Sequence, residues 1–336
     1  MRKNIAIIFG GNNSEHEVSL SSAGAVAGVI DKNKYNVIYV AILKNGNWII
    51  GPQAKKYLRD KNDEQLLKKN DIAKFVERVS KKKIDLVVPI LHGEHGEDGR
   101  LQGFLDILNA PYVFSGHSAH ALGMNKSKTK KVMDSIGVQT IPGCTINKGE
   151  KYNILKIIQE FGLPLFVKPS NAGSSVGISK VENKNDLAKA IDKAFKYGSQ
   201  VVIEKMIEGK ELTVAIIEHN DVQNVLPVIE ITTNTNDWYD YDAKYKTGGS
   251  EHICPAKISK KIENIAKDYA LKSFKEVGCR HLARTDLLWD NKANVMYFLE
   301  INTIPGMTGT SLVPDAAREA GISFDELIND LIKNNL

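Results

Sequence analysis

Cysteine is scarce in this 336-residue chain: Cys144, Cys254 and Cys279 are odd in number and show no C-x-x-C spacing. That excludes a disulfide framework and a thiolate zinc site, so the three read as ordinary reduced thiols. Long apolar runs are missing too. Arg2 and Lys3 precede only five apolar residues, Ile5 to Phe9, before Gly10 and Gly11, which is too short for a secretory signal core. No other run could cross a membrane. Neither G-x-G-x-x-G nor G-x-x-x-x-G-K-[ST] occurs, so the dinucleotide and P-loop readings lose their support. Internal repeats and low-complexity segments are likewise absent. Excess charge is small at +5, and the lysine-rich stretch from Lys55 to Lys83 is interleaved with Asp60, Asp63, Glu64, Asp71 and Glu77. Such mixing describes a solvated surface rather than a nucleic-acid patch.

What is present, 42% hydrophobic and 25% charged residues over this length, describes a globular chain of two or three domains. The N-terminal third alternates strand-like runs (Ile5 to Phe9, Val37 to Ile42, Leu86 to Leu91) with helix-like ones, which predicts a parallel sheet covered by helices. Ser14 and Glu17 have capping-box spacing, placing Glu15 in the first turn of a helix that follows the Gly10-Gly11 turn. From Met124 a lysine-rich helix should run to about Gly137. A helix from Tyr152 to Phe161, strands Leu163 to Pro169 and Val176 to Val181, a helix Asn185 to Tyr197 and a strand Gln200 to Met206 follow. Strands Glu211 to Ile217 and Val225 to Ile231 suggest an antiparallel sheet. A helix Ser259 to Val277 stopped by Gly278, two strands and a helix opened by Ser323 and Glu326 complete it. Boundaries near Gly123 and Gly209 divide the chain into 1–123, 124–208 and 209–336.

Two features carry chemistry. Lys168 to Gly177 is a small-residue loop between strand-like runs, with Gly173 and Gly177 able to approach a phosphate closely. A plain polar hairpin turn would use the same residue types. The sharper feature is Arg284-Thr285-Asp286 with Glu300-Ile301-Asn302. If the hairpin folds about Ala293, Asp286 opposes Glu300 and Arg284 opposes Asn302, while Thr285, Leu287, Leu299 and Ile301 face the core. Carboxylates about 4 to 5 Å apart repel by roughly 4 kcal/mol at an effective dielectric of 20, so a cation between them is the natural remedy. An all-oxygen set of Asp286, Glu300 and Asn302 suits magnesium. The alternative is an exposed face on which Arg284 neutralises one acid. Thr303 to Leu312 leads toward a helix start, where free amides hold a carboxylate. Asp237 to Gly249 reads as an aromatic lid or a plain surface loop. His92 to Gly99 holds three glycines and lacks the helical spacing of a zinc site.

With Gly10-Gly11 through Leu20, Leu91-His92-Gly93, Gly96-Glu97-Asp98-Gly99, Leu101-Gln102-Gly103, the glycine-serine loop, Asp242 to Tyr245 and Glu300 to Leu312 assembled, the chain resembles the D-alanine-D-alanine ligases of the ATP-grasp superfamily over nearly its whole length. The resemblance implies an α/β fold with an N-terminal parallel-sheet, Rossmann-like domain followed by a two-domain ATP-grasp fold. It implies ATP and two magnesium ions, replaceable by manganese, with Asp286, Glu300 and Asn302 as ligands. Lys126, Lys168, Gly173, Ser174 and Ser175 would meet the phosphates, and Glu204, Lys205, Ile207 and Glu211 the adenosine. Glu15, Ser174 and Tyr245 would act on the first D-alanine, with His92 close by. Arg284 and Gly306 would stabilise the oxyanion, and Lys244, Ser311 and Leu312 would grip the second carboxylate. A cytoplasmic homodimer with small-molecule substrates, no nucleic acid and no membrane association is implied. Asn125 departs from the aspartate usual before the lysine.

Overall fold

A computed structural model of the chain describes residues 2–61, 66, 68–171, 173, 176–233 and 250–336. Its first sheet takes in β1 (Lys3–Gly10), β2 (Tyr35–Ile42), β3 (Trp48–Ile50) and β4 (Leu86–Ile90), ordered β3-β2-β1-β4. Because β1 is parallel to both β2 and β4, its two faces must both be covered. Ile5, Ile7 and Phe9 enter one core, and Ala6 and Ile8 another. The sheet is not wholly parallel as expected, since β3 runs antiparallel to β2. The short link from Ile42 to Trp48 leaves no room for a crossover.

Around this sheet lie α1 (His16–Val29), α2 (Pro52–Asp60), α3 (Ile72–Ser80) and α4 (Arg100–Ile107). The Ser14–Glu17 capping box does not form. Glu15 occupies the N-cap of α1 without a side-chain cap bond, Asn13 Oδ1 accepts its amide at 2.8 Å, and Glu17 turns outward to Lys44 at 2.8 Å. The lysine-rich helix expected from Met124 to about Gly137 is α6 (Lys126–Ser135), and a separate helix, α5 (His117–Met124), precedes it, the two divided at Asn125. Asn125 caps α6 by accepting the Lys128 amide at 3.0 Å. That task needs only a side-chain oxygen, so asparagine serves as well as aspartate.

The second sheet, β5 (Gly143–Asn147), β6 (Leu165–Pro169), β7 (Ser179–Val181) and β8 (Gln200–Lys205), is antiparallel in the order β5-β8-β6-β7. It packs against α7 (Ile154–Phe161) and α8 (Leu187–Ala194) through Ile157, Leu165, Val167, Ile191 and Ile203. The third sheet joins β9 (Lys210–His219), β10 (Val222–Val225), β11 (Ile229–Thr233), β12 (Ser250–Ile253), β13 (Leu282–Asp290) and β14 (Val295–Asn302). The strand expected over 225–231 is split into β10 and β11, because Pro227 cannot donate to a ladder.

The helix α9 (Lys260–Val277) runs from a Ser259 cap to Gly278 at φ +75 and lays Ile262, Ala266, Ala270 and Phe274 on this sheet. Burying a side chain as large as Phe274 contributes roughly 1.5–3 kcal/mol. Ala119 of α5 and Met133 of α6 join the same core, so packing continues across Gly123, which lies inside α5. α10 (Leu312–Glu319) and α11 (Phe324–Lys333) close the chain, and the Ser323–Glu326 capping box is complete.

The hairpin carries one further difference. Arg284 opposes Asn302 and Asp286 opposes Glu300 as anticipated, yet Asp290 pairs with Val295 and the register shifts between Asp286 and Leu287. The turn is thus not centred on Ala293. An extra residue, Leu299, bulges out and restores the register where the acids sit. Leu299 consequently leaves the main core for a small cluster with Leu288 and Tyr297, while Thr285, Leu287 and Ile301 are buried as expected.

Candidate active site

Outside the carboxyl ends of β1 and β4, where open α/β sheets place their ligands, a cavity of about 400 Å³ reaches across to β13 and β14. Its walls bring together Glu15, His92, Lys126 and Gly173 with Arg284, Glu300 and Asn302. Gly306, Ser311 and Leu312 complete the set of anticipated residues found there.

Glu15 is buried at the entrance to α1. Its carboxylate fills space that only glycines leave open: a Cβ on Gly93 would lie 1.9 Å from Glu15 Oε2, and one on Gly173 2.6 Å from it. Glu97, half-buried, also lines the cavity. Burial, with the Glu15 charge adding to it, pushes its carboxyl up to about 8. Its oxygens accept the Gly93 amide at 2.9 Å and the Ile304 amide at 3.0 Å.

The Ile304 carbonyl is held from the same loop, since His92 Nδ1 donates to it at 3.0 Å. Burial drives the His92 imidazole down to about 4, so it stays neutral, and its Nε2 accepts from Ser22 Oγ at 3.0 Å. Ser22 in turn accepts the Met307 amide at 3.4 Å, and Thr303 Oγ1 bonds His120 Nδ1 at 2.6 Å. The segment 303–307, which carries Gly306, is therefore pinned by side chains from the first 123 residues. Preorganised amides of this kind stabilise developing negative charge.

On the hairpin face Arg284 grips Asp286 with both ends of its fork, at 2.8 and 2.7 Å. Thr213 donates to Asp286 at 2.6 Å and Asn302 Nδ2 at 2.9 Å. Across from it Glu300 meets the Lys126 ammonium at 3.0 Å. The sequence alternative in which Arg284 neutralises one acid is thus realised, though on a part-buried face rather than an exposed one. Glu300 and Asn302 line the cavity while Asp286 does not, and the side-chain oxygens of the three suit a hard divalent cation.

Residues 132–333 match the D-ala D-ala ligase C-terminus family and residues 4–115 the D-ala D-ala ligase N-terminus family. The chain belongs to the D-alanine-D-alanine ligase family. It is 41% identical over 339 residues to a D-alanine--D-alanine ligase of Pelotomaculum thermopropionicum, covering 99% of this chain and 96% of that one. Against the D-alanine--D-alanine ligase of Chloroherpeton thalassium the identity is 37%, with 99% and 96% covered. Among solved structures, the VanG D-Ala:D-Ser ligase from Enterococcus faecalis superposes with a TM-score of 0.84 at 31% identity, over all of both chains. The D-alanine--D-alanine ligase from Bacillus anthracis complexed with ATP gives 0.78 at 27%, over 99% and 97%. The second and third sheets are accordingly the two halves of an ATP-grasp fold.

Other family positions lie off the cavity wall. Glu204, buried on β8, contacts both Lys168 and Lys130. Lys130 also donates to the Ile141 carbonyl at 2.8 Å. Burial, with the neighbouring Lys168 adding to it, presses the Lys130 ammonium down against a smaller upward pull from Asp134. Lys205 ends β8 on the surface, Ile207 packs with the Leu288 cluster, and Glu211 sits on β9 opposite Leu288. Ser174, Ser175, Lys244 and Tyr245, with the loop 237–249, lie outside the described residues.

Sequence reasoning missed Glu97, Ser22, Lys130 and the pair His252–Asp315, whose Nδ1 and Oδ2 stand 2.8 Å apart. Glu97 had a signal, since it sits among the closely spaced glycines of 93–99. His252 had none, because Asp315 is 63 residues away.

Proposed function

We propose that this chain joins two molecules of D-alanine, at the expense of ATP, through a D-alanyl phosphate, for the assembly of peptidoglycan precursors. The observation that carries this is one cavity holding Glu15 and Arg284 beside the Gly306 and Leu312 segment, with Lys126 and Glu300 along another wall. In this reading a carboxylate oxygen of the first D-alanine takes the γ-phosphoryl group and ADP departs. The second D-alanine's amine then attacks the acyl carbon, sheds a proton, and expels inorganic phosphate.

Glu15 receives the first ammonium, and its position between two glycines fixes where the carboxylate lies. Arg284 and the pinned Gly306 amide meet the oxyanion of the tetrahedral intermediate. Asp286, Glu300 and Asn302 would hold magnesium, which when bound screens the charge of the phosphates. Lys126 and Lys168 would turn to the nucleotide, Lys168 leaving Glu204 to do so. Ser311 and the Leu312 amide, at the start of α10, suit the second carboxylate. ATP and D-alanine as substrates support a cytoplasmic location. Among the described residues no helix is long and apolar enough to cross a membrane.

A phosphate-release assay comparing D-alanine with L-alanine, D-lactate and D-serine tests the reading. D-alanine alone should drive ADP formation. Stimulation by a different amine or hydroxy acid would point to another carboxylate ligase, and D-serine would matter most, given the likeness to a D-Ala:D-Ser ligase. No stimulation by any of them would favour a nucleotide-binding module without turnover.

A further inference from the structure

His252, on β12, lines the same cavity as Ser311 and Leu312, and nothing above gives it a task. Its Nδ1 stands 2.8 Å from Asp315 Oδ2. Asp315 lies in the first turn of α10, and Arg318 holds its other oxygen at 2.9 Å while reaching the Gly309 carbonyl at 2.9 Å. Free amides at a helix start attract an anion, but a bare carboxylate in that same turn would repel one. Burial pushes the Asp315 carboxyl up, and hydrogen bonds from His252 and Arg318 outweigh it and leave it lowered. The Arg318 guanidinium and the His252 Nδ1–H donor therefore offset the repulsion. With Nδ1 committed to Asp315, Nε2 is the remaining polar atom of a ring that lines the cavity Ser311 also lines. The other basic residues lining the cavity, among the described residues, are His92, bonded to the Ile304 carbonyl and Ser22, and Lys126 and Arg284, engaged with Glu300 and Asp286.

We propose that His252, held in place by Asp315, is a further residue of the second-substrate subsite and, with a proton on each ring nitrogen in the complex, donates from Nε2 to the carboxylate of the incoming D-amino acid. This rests on the ligase reading of the cavity. A charge-assisted hydrogen bond of this sort is worth roughly a ten-fold change in affinity or more.

The test is steady-state kinetics of wild type, His252→Ala and His252→Gln with D-alanine, and with D-alaninamide competing as the second substrate. D-alaninamide keeps the amine and lacks the charged carboxylate. In His252→Ala the KM for the second D-alanine should rise about ten-fold, well beyond any fall in kcat. The first-site KM should move little, and the preference for D-alanine over D-alaninamide should shrink by a similar factor. Asp315→Asn, which keeps an acceptor for Nδ1 and loses the charge, should show a milder shift in the same direction. It decides the matter should His252→Ala misfold. An unchanged second-site KM with undiminished preference in these variants overturns the proposal and leaves the ligase reading standing. Wild type that forms no ADP with D-alanine overturns both.

Discussion

A methyl group on Gly93 would collide with Glu15 Oε2, and the backbone there has φ +70, a region costly to any residue with a Cβ. Gly93→Ala should therefore lose about 1–2 kcal/mol of stability from the backbone. Its larger effect should be on turnover, because the Glu15 carboxylate is the end that can yield; we expect kcat/KM for D-alanine to drop at least ten-fold. Circular dichroism beside the kinetics checks this, and native turnover would show that Glu15 need not stand where it does. Glu97 gives a second residue-scale expectation. Its folded value of about 8 lies above the ordinary 4.5. Between those values the unfolded chain releases a proton that the folded chain keeps, so stability falls as pH rises through that window and levels off above it. Glu97→Gln cannot ionise and should flatten the fall in melting temperature between about pH 5 and pH 8. Coincident slopes for the two proteins would mean that Glu97 ionises normally. Neither residue's environment was legible from sequence. Glu15 could be placed near the first turn of α1, but the glycines that shape its pocket come from positions 93 and 173, brought there by the fold.

At the scale of the element, termini with local chemistry were readable and those set by distant contacts were not. Gly278 ends α9 and the Ser323–Glu326 box opens α11, because both signals act within a few residues. Ser14 and Glu17 had the same spacing and failed, since Asn13 takes the Glu15 amide and Lys44 takes Glu17. The bulge at Leu299 had no signal in the hairpin itself. Asp286 and Glu300 were nevertheless paired correctly, because the error in the turn and the unforeseen bulge offset each other. α11 docks on α1 through Asn329, which donates to the Val29 carbonyl at 2.9 Å and accepts the Asp31 amide at 2.9 Å. Ser323→Ala should weaken that helix by about 0.5–2 kcal/mol. Faster hydrogen exchange over Phe324–Lys333 with unaltered ADP formation would be the outcome. Unchanged exchange would mean that docking alone holds the helix start.

For the whole molecule, the decisive feature is that the site belongs to no single sheet. Glu15 and His92 come from the first, Lys126 from the helix before the second, and the acids from the third, so composition and periodicity could give the parts but not their convergence. Their charges are balanced internally in this state, Lys126 against Glu300 and Arg284 against Asp286. Magnesium and nucleotide, bound together, would exchange those pairs for ligand contacts and tie the sheets to one another. A ligand that binds only the folded form at about one hundred times its Kd stabilises it by roughly 2.7 kcal/mol. Magnesium with ATP should thus raise the melting temperature clearly, and EDTA should remove most of that rise. Glu300→Gln deletes a charge at the proposed metal site rather than a core side chain. It should keep a native circular dichroism spectrum, lose the greater part of the magnesium-dependent rise, and form ADP at least ten-fold more slowly. If Glu300→Gln instead retained both the thermal shift and near wild-type turnover, the carboxylates facing each other on β13 and β14 would not be the metal site, and the phosphate end of the cavity would have to be sought elsewhere.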